Sequence, residues 1–187
     1  FFSLMQQLVW HHDEPMIFPA SIPLYLLSKE SKRKATVMLA GEGADEILAG
    51  YGNNVRAYWS QRMAAPIPAG LRRLAARLPL PGRVGKVASR LALDEDQTII
   101  RAFRLGDADG LLNACRVPLP AATGDDAALI DEVGLYARNG SFLDRLLYFQ
   151  LKTYLVALLM KQDKMSMAAS IESRVPYLDH KLVEMAF

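Results

Sequence analysis

Apolar residues at positions 1, 2, 4, 5, 8 and 9 have the spacing of a helix buried on one broad face. A second helix is predicted from Ile22 to about Lys34. Ser21 would be its N-cap and Pro23 would sit in its first turn, with Leu24, Tyr25 and Leu27 facing a sheet and Lys29, Glu30, Lys32 and Arg33 in water. Thr36 to Ala40, a short β-branched and apolar run, predicts a buried strand fed by that helix, with a right-handed crossover as the natural topology. After Tyr51 the pattern turns helical. Pro66, Pro68, Pro79, Pro81, Pro118 and Pro120, with Gly70, Gly82, Gly85, Gly106, Gly110 and Gly124, cut residues 60–125 into short helices and turns. Asp125 to Arg138 and Ser141 to about Met160 read as amphipathic helices. The apolar surface of the second, from Phe142 to Leu159, is broad enough to predict burial nearly all round. Small and polarizable residues from Met165 to Ser170 suit close helix packing. Pro176 pushes Val175 toward an extended backbone, which puts Glu172 and Arg174 on one face of a strand-like segment, and Asp179 is placed to cap a helix beginning at His180. The expected fold class is α/β, predominantly helical.

With 187 residues, 51% of them hydrophobic, the chain can bury a real core in one domain or slightly more. No apolar run approaches the roughly eighteen residues of a membrane span. The start at Phe1-Phe2-Ser3, with neither Met nor a basic signal-peptide front, reads as that of a cut piece. The single cysteine, Cys115, rules out an intramolecular disulfide and fits a reducing, cytoplasmic setting. Net charge is only +2, yet from Arg62 to Arg104 nine Lys or Arg face Asp94, Glu95 and Asp96. Those cations are not interleaved with aromatics, so a solvated helix face is expected in preference to a nucleic-acid surface. His11, His12, Asp13 and Glu14 resemble a metal cluster, but no second Cys or His cluster completes one. A polar turn ended by Pro15 is preferred.

The densest chemistry lies between Ala40 and Tyr51. Gly41 and Gly43 bracket Glu42, allowing a sharp turn and close approach to a ligand before Ala44, Asp45 and Glu46 open a helix. A loop at the carboxyl end of a buried strand is where open α/β sheets bind ligands. Unlike a phosphate cradle, it offers three carboxylates and no Lys or Ser/Thr after its glycines. Carboxylates so crowded repel one another unless a cation sits among them, which points to magnesium held together with water and a substrate's phosphates. The same spacing also suits two first-turn helix acids and a solvated loop residue, so both remain open. Similarly, Glu172 and Arg174 fit either a pair directed into a cleft or a structural ion pair.

Ala40-Gly-Glu-Gly-Ala-Asp-Glu-Ile-Leu-Ala-Gly-Tyr51 resembles the Ser-Gly-(Asp/Glu)-Gly-X-Asp-Glu-X-X-X-Gly-Tyr signature of the glutamine-hydrolysing asparagine synthetases, in their ATP-dependent synthetase domain. Val9-Trp-His-His-Asp-Glu-Pro15 with Phe18-Pro-Ala-Ser-Ile-Pro23 resembles that family's His-X-Asp-Glu-Pro segment and the helix start after it. Leu159 to Ser166 and Ile171 to His180 resemble its Lys-X-Asp-Arg-X-Ser and Glu-X-Arg-Val-Pro-Phe-Leu-Asp segments. The resemblance implies part of a Rossmann-like ATP-pyrophosphatase domain over residues 1–187, with 60–125 a variable helical insert. It also implies adenylation of aspartate by Mg-ATP and attack by glutamine-derived ammonia. By the same resemblance Glu42 is the catalytic acid of the loop and Asp45 and Glu46 hold Mg²⁺, while Gly41, Gly43, Lys161, Asp163, Glu172 and Arg174 line the nucleotide or substrate pocket.

The family's loop serine is Ala40 here, its Ser-Gly-Gly pyrophosphate loop has no counterpart because the chain contains no Gly-Gly, and its N-terminal glutaminase domain is missing. The implied partners are aspartate, ammonia and that glutaminase domain, with no membrane and no nucleic acid and a homodimer left open. β-Lactam synthetases and lasso-peptide cyclases, which spend the acyl-adenylate on an internal amine, share the fold, and a non-catalytic scaffold is a further alternative.

Overall fold

Two three-residue strands, Val37–Leu39 (β1) and Glu172–Arg174 (β2), pair in parallel at the centre of the site-bearing part of the computed structural model, which describes residues 2–13, 18–103, 125–136 and 140–187. Glu14, Pro15, Gly106, Gly110, Cys115, Pro118, Pro120, Gly124 and Arg138 lie outside the described residues. Val37, Met38 and Leu39 stand opposite Glu172, Ser173 and Arg174. The ladder is closed by Glu172 N–H donating to the Thr36 carbonyl and Ala40 N–H to that of Arg174, both at 2.8 Å. A parallel pair needs a long connection, and here everything from Ala40 to Ile171 supplies it.

The chain divides into two compact units. The first comprises residues 1–48 and 151–187, and the second residues 49–150. In the first, β1 and β2 are accompanied by α1 (Phe2–His12), α2 (Ser21–Ser31), the short α3 (Ala44–Ile47), α10 (Tyr154–Ala168), a 3-10 turn (Pro176–Leu178) and α11 (His180–Ala186). α10 packs against α1, α2 and β2. Its Met165 is fully buried with Leu8 of α1 and with Ile22 and Tyr25 of α2. Gln7 donates to the Tyr25 hydroxyl at 3.3 Å, tying α1 to α2.

Several expectations change on contact with packing. β1 is not buried, since Val37 and Leu39 are exposed and only Met38 is partly covered. Residue type predicted a strand correctly, but burial depends on what covers it, and β2 is the only strand that pairs with β1 among the described residues. α2 ends at Ser31 because Arg33 and Lys34 bond back three residues, to Glu30 and Ser31, tightening the last turn. Its inward face is Ser21, Ile22, Tyr25 and Ser28, while Leu27 is exposed, so Ser21 is a buried first-turn residue and not the cap. Pro176 and Asp179 act as expected. Val175 is extended at φ −116°, ψ 85°, and the Asp179 carboxylate accepts from Lys181 N–H at 3.0 Å to start α11.

The second unit contains α4 (Gly52–Ala64), α5 (Ala69–Arg77), α6 (Gly82–Leu91), α7 (Glu95–Phe103), α8 (Asp125–Tyr136) and α9 (Phe142–Lys152) through Gln150. Pro68 and Pro81 stand directly before α5 and α6, where a missing N–H costs nothing. Ala57, Ile99, Val133, Leu146 and Phe149 form the core. Beside it Gln150 donates to Asn54 at 2.6 Å, a buried amide pair. The single helix expected from Ser141 to Met160 is two helices broken at Thr153 (φ −121°, ψ −77°), so its very broad apolar surface is the sum of two stripes, and Val156 and Met160 are exposed. Ser141 and Asp144 cap α9 reciprocally, Ser141 N–H to the carboxylate at 2.6 Å and Asp144 N–H to the hydroxyl at 3.3 Å. No helix among the described residues is long and apolar enough to cross a membrane.

Candidate functional site

β1 ends in the loop Ala40–Gly43, and the loop's shape is fixed by Gly43. Its φ of +97° is a left-handed conformation that disfavours a side chain, and a Cβ there would lie 2.4 Å from Leu178 Cδ2. Gly41 meets no such restriction, with nothing within 4 Å of its would-be Cβ. Gly43 serves as N-cap of α3, which turns Asp45 and Glu46 into first-turn residues as the sequence suggested.

The three carboxylates do not form one metal-holding group. Glu42 is half-buried and accepts from Lys161 Nζ at 3.0 Å, an ion pair whose side chains are 24% and 9% exposed. Glu46 is buried at 1% exposure, and Asp45 is exposed. The cation that meets the loop is thus an ammonium from α10. Lys161 Nζ also lies 5.6 Å from the centroid of the Phe18 ring, a cation–π contact. Phe18 in turn meets Tyr154 edge-on, with centroids 6.2 Å apart and planes at 73°. Burial pushes the Tyr154 phenol above its ordinary value of 10.0, and the charges of Glu46 and Glu42 push it further in the same direction. These five residues, Phe18, Glu42, Glu46, Tyr154 and Lys161, make one partly enclosed cluster of alternating charge and aromatic surface.

Sequence reasoning names three of them as candidates, Glu42 and Glu46 from the crowded loop and Lys161 from the family resemblance. In the sequence Phe18 stands out only within a motif and Tyr154 only as part of an apolar stripe. Tyr154 lies seven residues before Lys161, two helical turns on one face, which is the signal that could have found it. Asp163, two residues past Lys161, falls on the far side of α10 and is exposed. Glu172 and Arg174 share a face of β2 and pair with each other at 2.8 Å, both largely exposed. Between them Ser173 points the other way and accepts from the buried Gln162 at 2.8 Å. Arg174 still touches the loop through its backbone, by accepting from Ala40 N–H.

No group of three His, Cys, Asp or Glu side chains among the described residues is placed to hold a metal ion. The Asp13 carboxylate, in a left-handed turn at φ +59° after α1, lies 3.6 Å from Lys164 Nζ. Lys164 also donates to the His12 carbonyl. An all-protein cage is therefore not what the loop offers. A single exposed carboxylate in the first turn of α3, Asp45, does fit a Mg²⁺ ion that keeps its waters and is carried on a substrate's phosphates.

A family model described as Asparagine synthase matches residues 1–187. Asparagine synthetase (glutamine-hydrolyzing) 1 of Bacillus subtilis is 32% identical over 186 residues, covering 97% of this chain and 29% of its own length. A Mycobacterium bovis protein provisionally named asparagine synthetase (glutamine-hydrolyzing) is 31% identical over 190 residues, covering 100% of this chain and 29% of its own length. A Methanocaldococcus jannaschii protein with a similar provisional name is 30% identical over 105 residues, 56% of this chain and 19% of its own length. The chain thus spans less than a third of these relatives. No solved structure matches it.

Proposed function

Because this chain belongs to the asparagine synthase family, we propose that it forms one wall of an ATP-dependent amide-forming site in a Rossmann-like ATP-pyrophosphatase domain, with the other walls built from sequence that its longer relatives carry. The observation that supports this best is the Glu42–Lys161 pair at the mouth of the β1 loop, next to an exposed Asp45. In the first step an aspartate carboxylate oxygen attacks the α-phosphorus of ATP and pyrophosphate leaves. In the second, ammonia attacks the acyl carbon, AMP leaves with the C–O electron pair, and asparagine forms. The attacking nitrogen must shed a proton, and Glu42 is the base proposed to take it. Lys161 holds Glu42 in place and counters negative charge building on the acyl oxygen. Asp45 would hold magnesium, which when bound neutralises the departing pyrophosphate. Glu46 is buried in the loop's first helical turn and is proposed to shape the loop in addition to any metal role. Gly41, Gly43, Asp163, Glu172 and Arg174 are proposed to border the nucleotide or substrate.

Glutamine-derived ammonia would come from a glutaminase domain in a longer, cytoplasmic chain. Aspartate-dependent exchange of pyrophosphate into ATP, followed by asparagine formation on adding ammonium, tests the proposal in a longer chain that carries these residues with a triphosphate loop. Exchange driven only by a substrate with its own internal amine, giving a cyclised product, would replace asparagine synthesis with ring closure. No exchange with any carboxylate would leave a scaffold.

A further inference from the structure

We propose that the second unit carries an anion-binding cleft around Arg90 and Arg101 that takes a small ligand bearing phosphate. Two cavities, of about 150 and 560 Å³, share these two arginines in their walls, with Arg56 lining the first and Lys86 the second. The nearby acids are already engaged. Asp94 accepts from Gln97 N–H at 2.8 Å at the start of α7, and Glu95 and Asp96 both bind Arg145. None of the three lines either cavity.

Arg56 is itself turned back onto Gly52 and Asn53. The side chains of Arg90, Arg101 and Lys86, all three exposed like that of Arg73, have no hydrogen-bond or ion-pair partner among the described residues. Arg90 and Arg101 do sit in the last turns of α6 and α7, where the helix dipole favours a cation, but a dipole does not occupy the five N–H donors of a guanidinium. The serine and threonine hydroxyls in the walls are spent on carbonyls, Ser60 on Ala57 at 2.8 Å, Thr98 on Asp94 at 2.7 Å and Ser89 on Gly85 at 2.9 Å. What the cleft offers is therefore guanidinium forks, which match phosphate oxygens two at a time. Concave walls favour a small molecule, and among the described residues no aromatic side chain lines either cavity to stack a nucleic-acid base.

Titration calorimetry on the 187-residue chain, with inorganic pyrophosphate in EDTA as the probe, tests this. Saturable binding is expected, weakened by about tenfold or more in the Arg90→Gln, Arg101→Gln double variant and unchanged by Arg73→Gln, an exposed arginine outside both walls. Far-UV circular dichroism checks that the double variant keeps its helices. If it does not, Arg101→Lys, which keeps the charge and removes the fork, should still weaken binding. No saturable binding, equal weakening by Arg73→Gln, or an unchanged affinity in Arg101→Lys overturns the proposal. Tighter binding of tRNA than of pyrophosphate through the same arginines would make the face a nucleic-acid surface instead.

Discussion

Glu42 and Asp45 are three residues apart, and the proposed function gives them different work. Glu42→Gln keeps the shape of the Lys161 partner but removes its basicity, so in a full-length enzyme amide formation should slow by on the order of 10² to 10⁴ with little change in magnesium dependence. Asp45→Asn should instead raise the magnesium requirement, since the proposed charged oxygen ligand is lost. Rates measured across a magnesium titration separate the two, and parallel shifts of the magnesium curve in both variants would mean a single metal cage. Lys161→Met leaves the half-buried Glu42 without its cation and should cost about 1–3 kcal/mol in a urea titration. Tyr154 makes a prediction about alkali. Its folded-state phenol holds its proton above the ordinary 10.0, so its contribution to stability is fully present below pH 10.0 and is lost as pH rises through the raised value. Unfolding midpoints followed upward from pH 10.0 should fall, and Tyr154→Phe should flatten that fall. Glu42 was legible as a candidate because glycines bracket it, and Lys161 only through the family resemblance. Their pairing was not, since 119 residues separate them and only the packing of α10 joins them.

At the scale of elements, the turn from β1 into α3 depends on one glycine and not on its neighbour. Gly43→Ala would place a Cβ against Leu178 in a left-handed backbone and should cost about 1–3 kcal/mol, whereas Gly41→Ala should be near neutral. Equal urea midpoints for the two variants would show that the left-handed turn is not required. Removing the cap with Asp179→Ala should cost about 1 kcal/mol, read the same way. Local chemistry made these features readable, because a glycine pair, a proline after an extended residue and an aspartate before a helix each act within a few positions. The break at Thr153 was not readable, since Leu151, Tyr154 and Leu155 continue the apolar run across it. Nor was the rotation of α2, whose packed face uses Ser21 and Ser28 where larger apolar residues were expected.

At the scale of the whole molecule, each unit has a core of its own, Leu8, Ile22, Tyr25 and Met165 in one and Ala57, Ile99, Val133, Leu146 and Phe149 in the other. The candidate site draws only on the first. That unit brings a carboxylate–ammonium pair, an exposed acid and two aromatic rings, but the 187 residues contain no Gly-Gly turn to wrap a triphosphate. Activation of a carboxylate by ATP depends on holding the α-phosphorus in line with the attacking oxygen, and such positioning is worth about 7–11 kcal/mol of the barrier. A wall that supplies the proposed base and one acid, without a Gly-Gly turn to fix the phosphates, gives up most of that. These 187 residues alone should therefore release no pyrophosphate from Mg-ATP above a no-protein control, with aspartate and ammonium both present. The same assay should gain activity when a triphosphate loop is supplied in one chain with them, and that gain should be lost in Glu42→Gln. Pyrophosphate release by the 187 residues, abolished by Glu42→Gln, would show that the loop after β1 positions ATP unaided and that the missing walls are not needed for the first step.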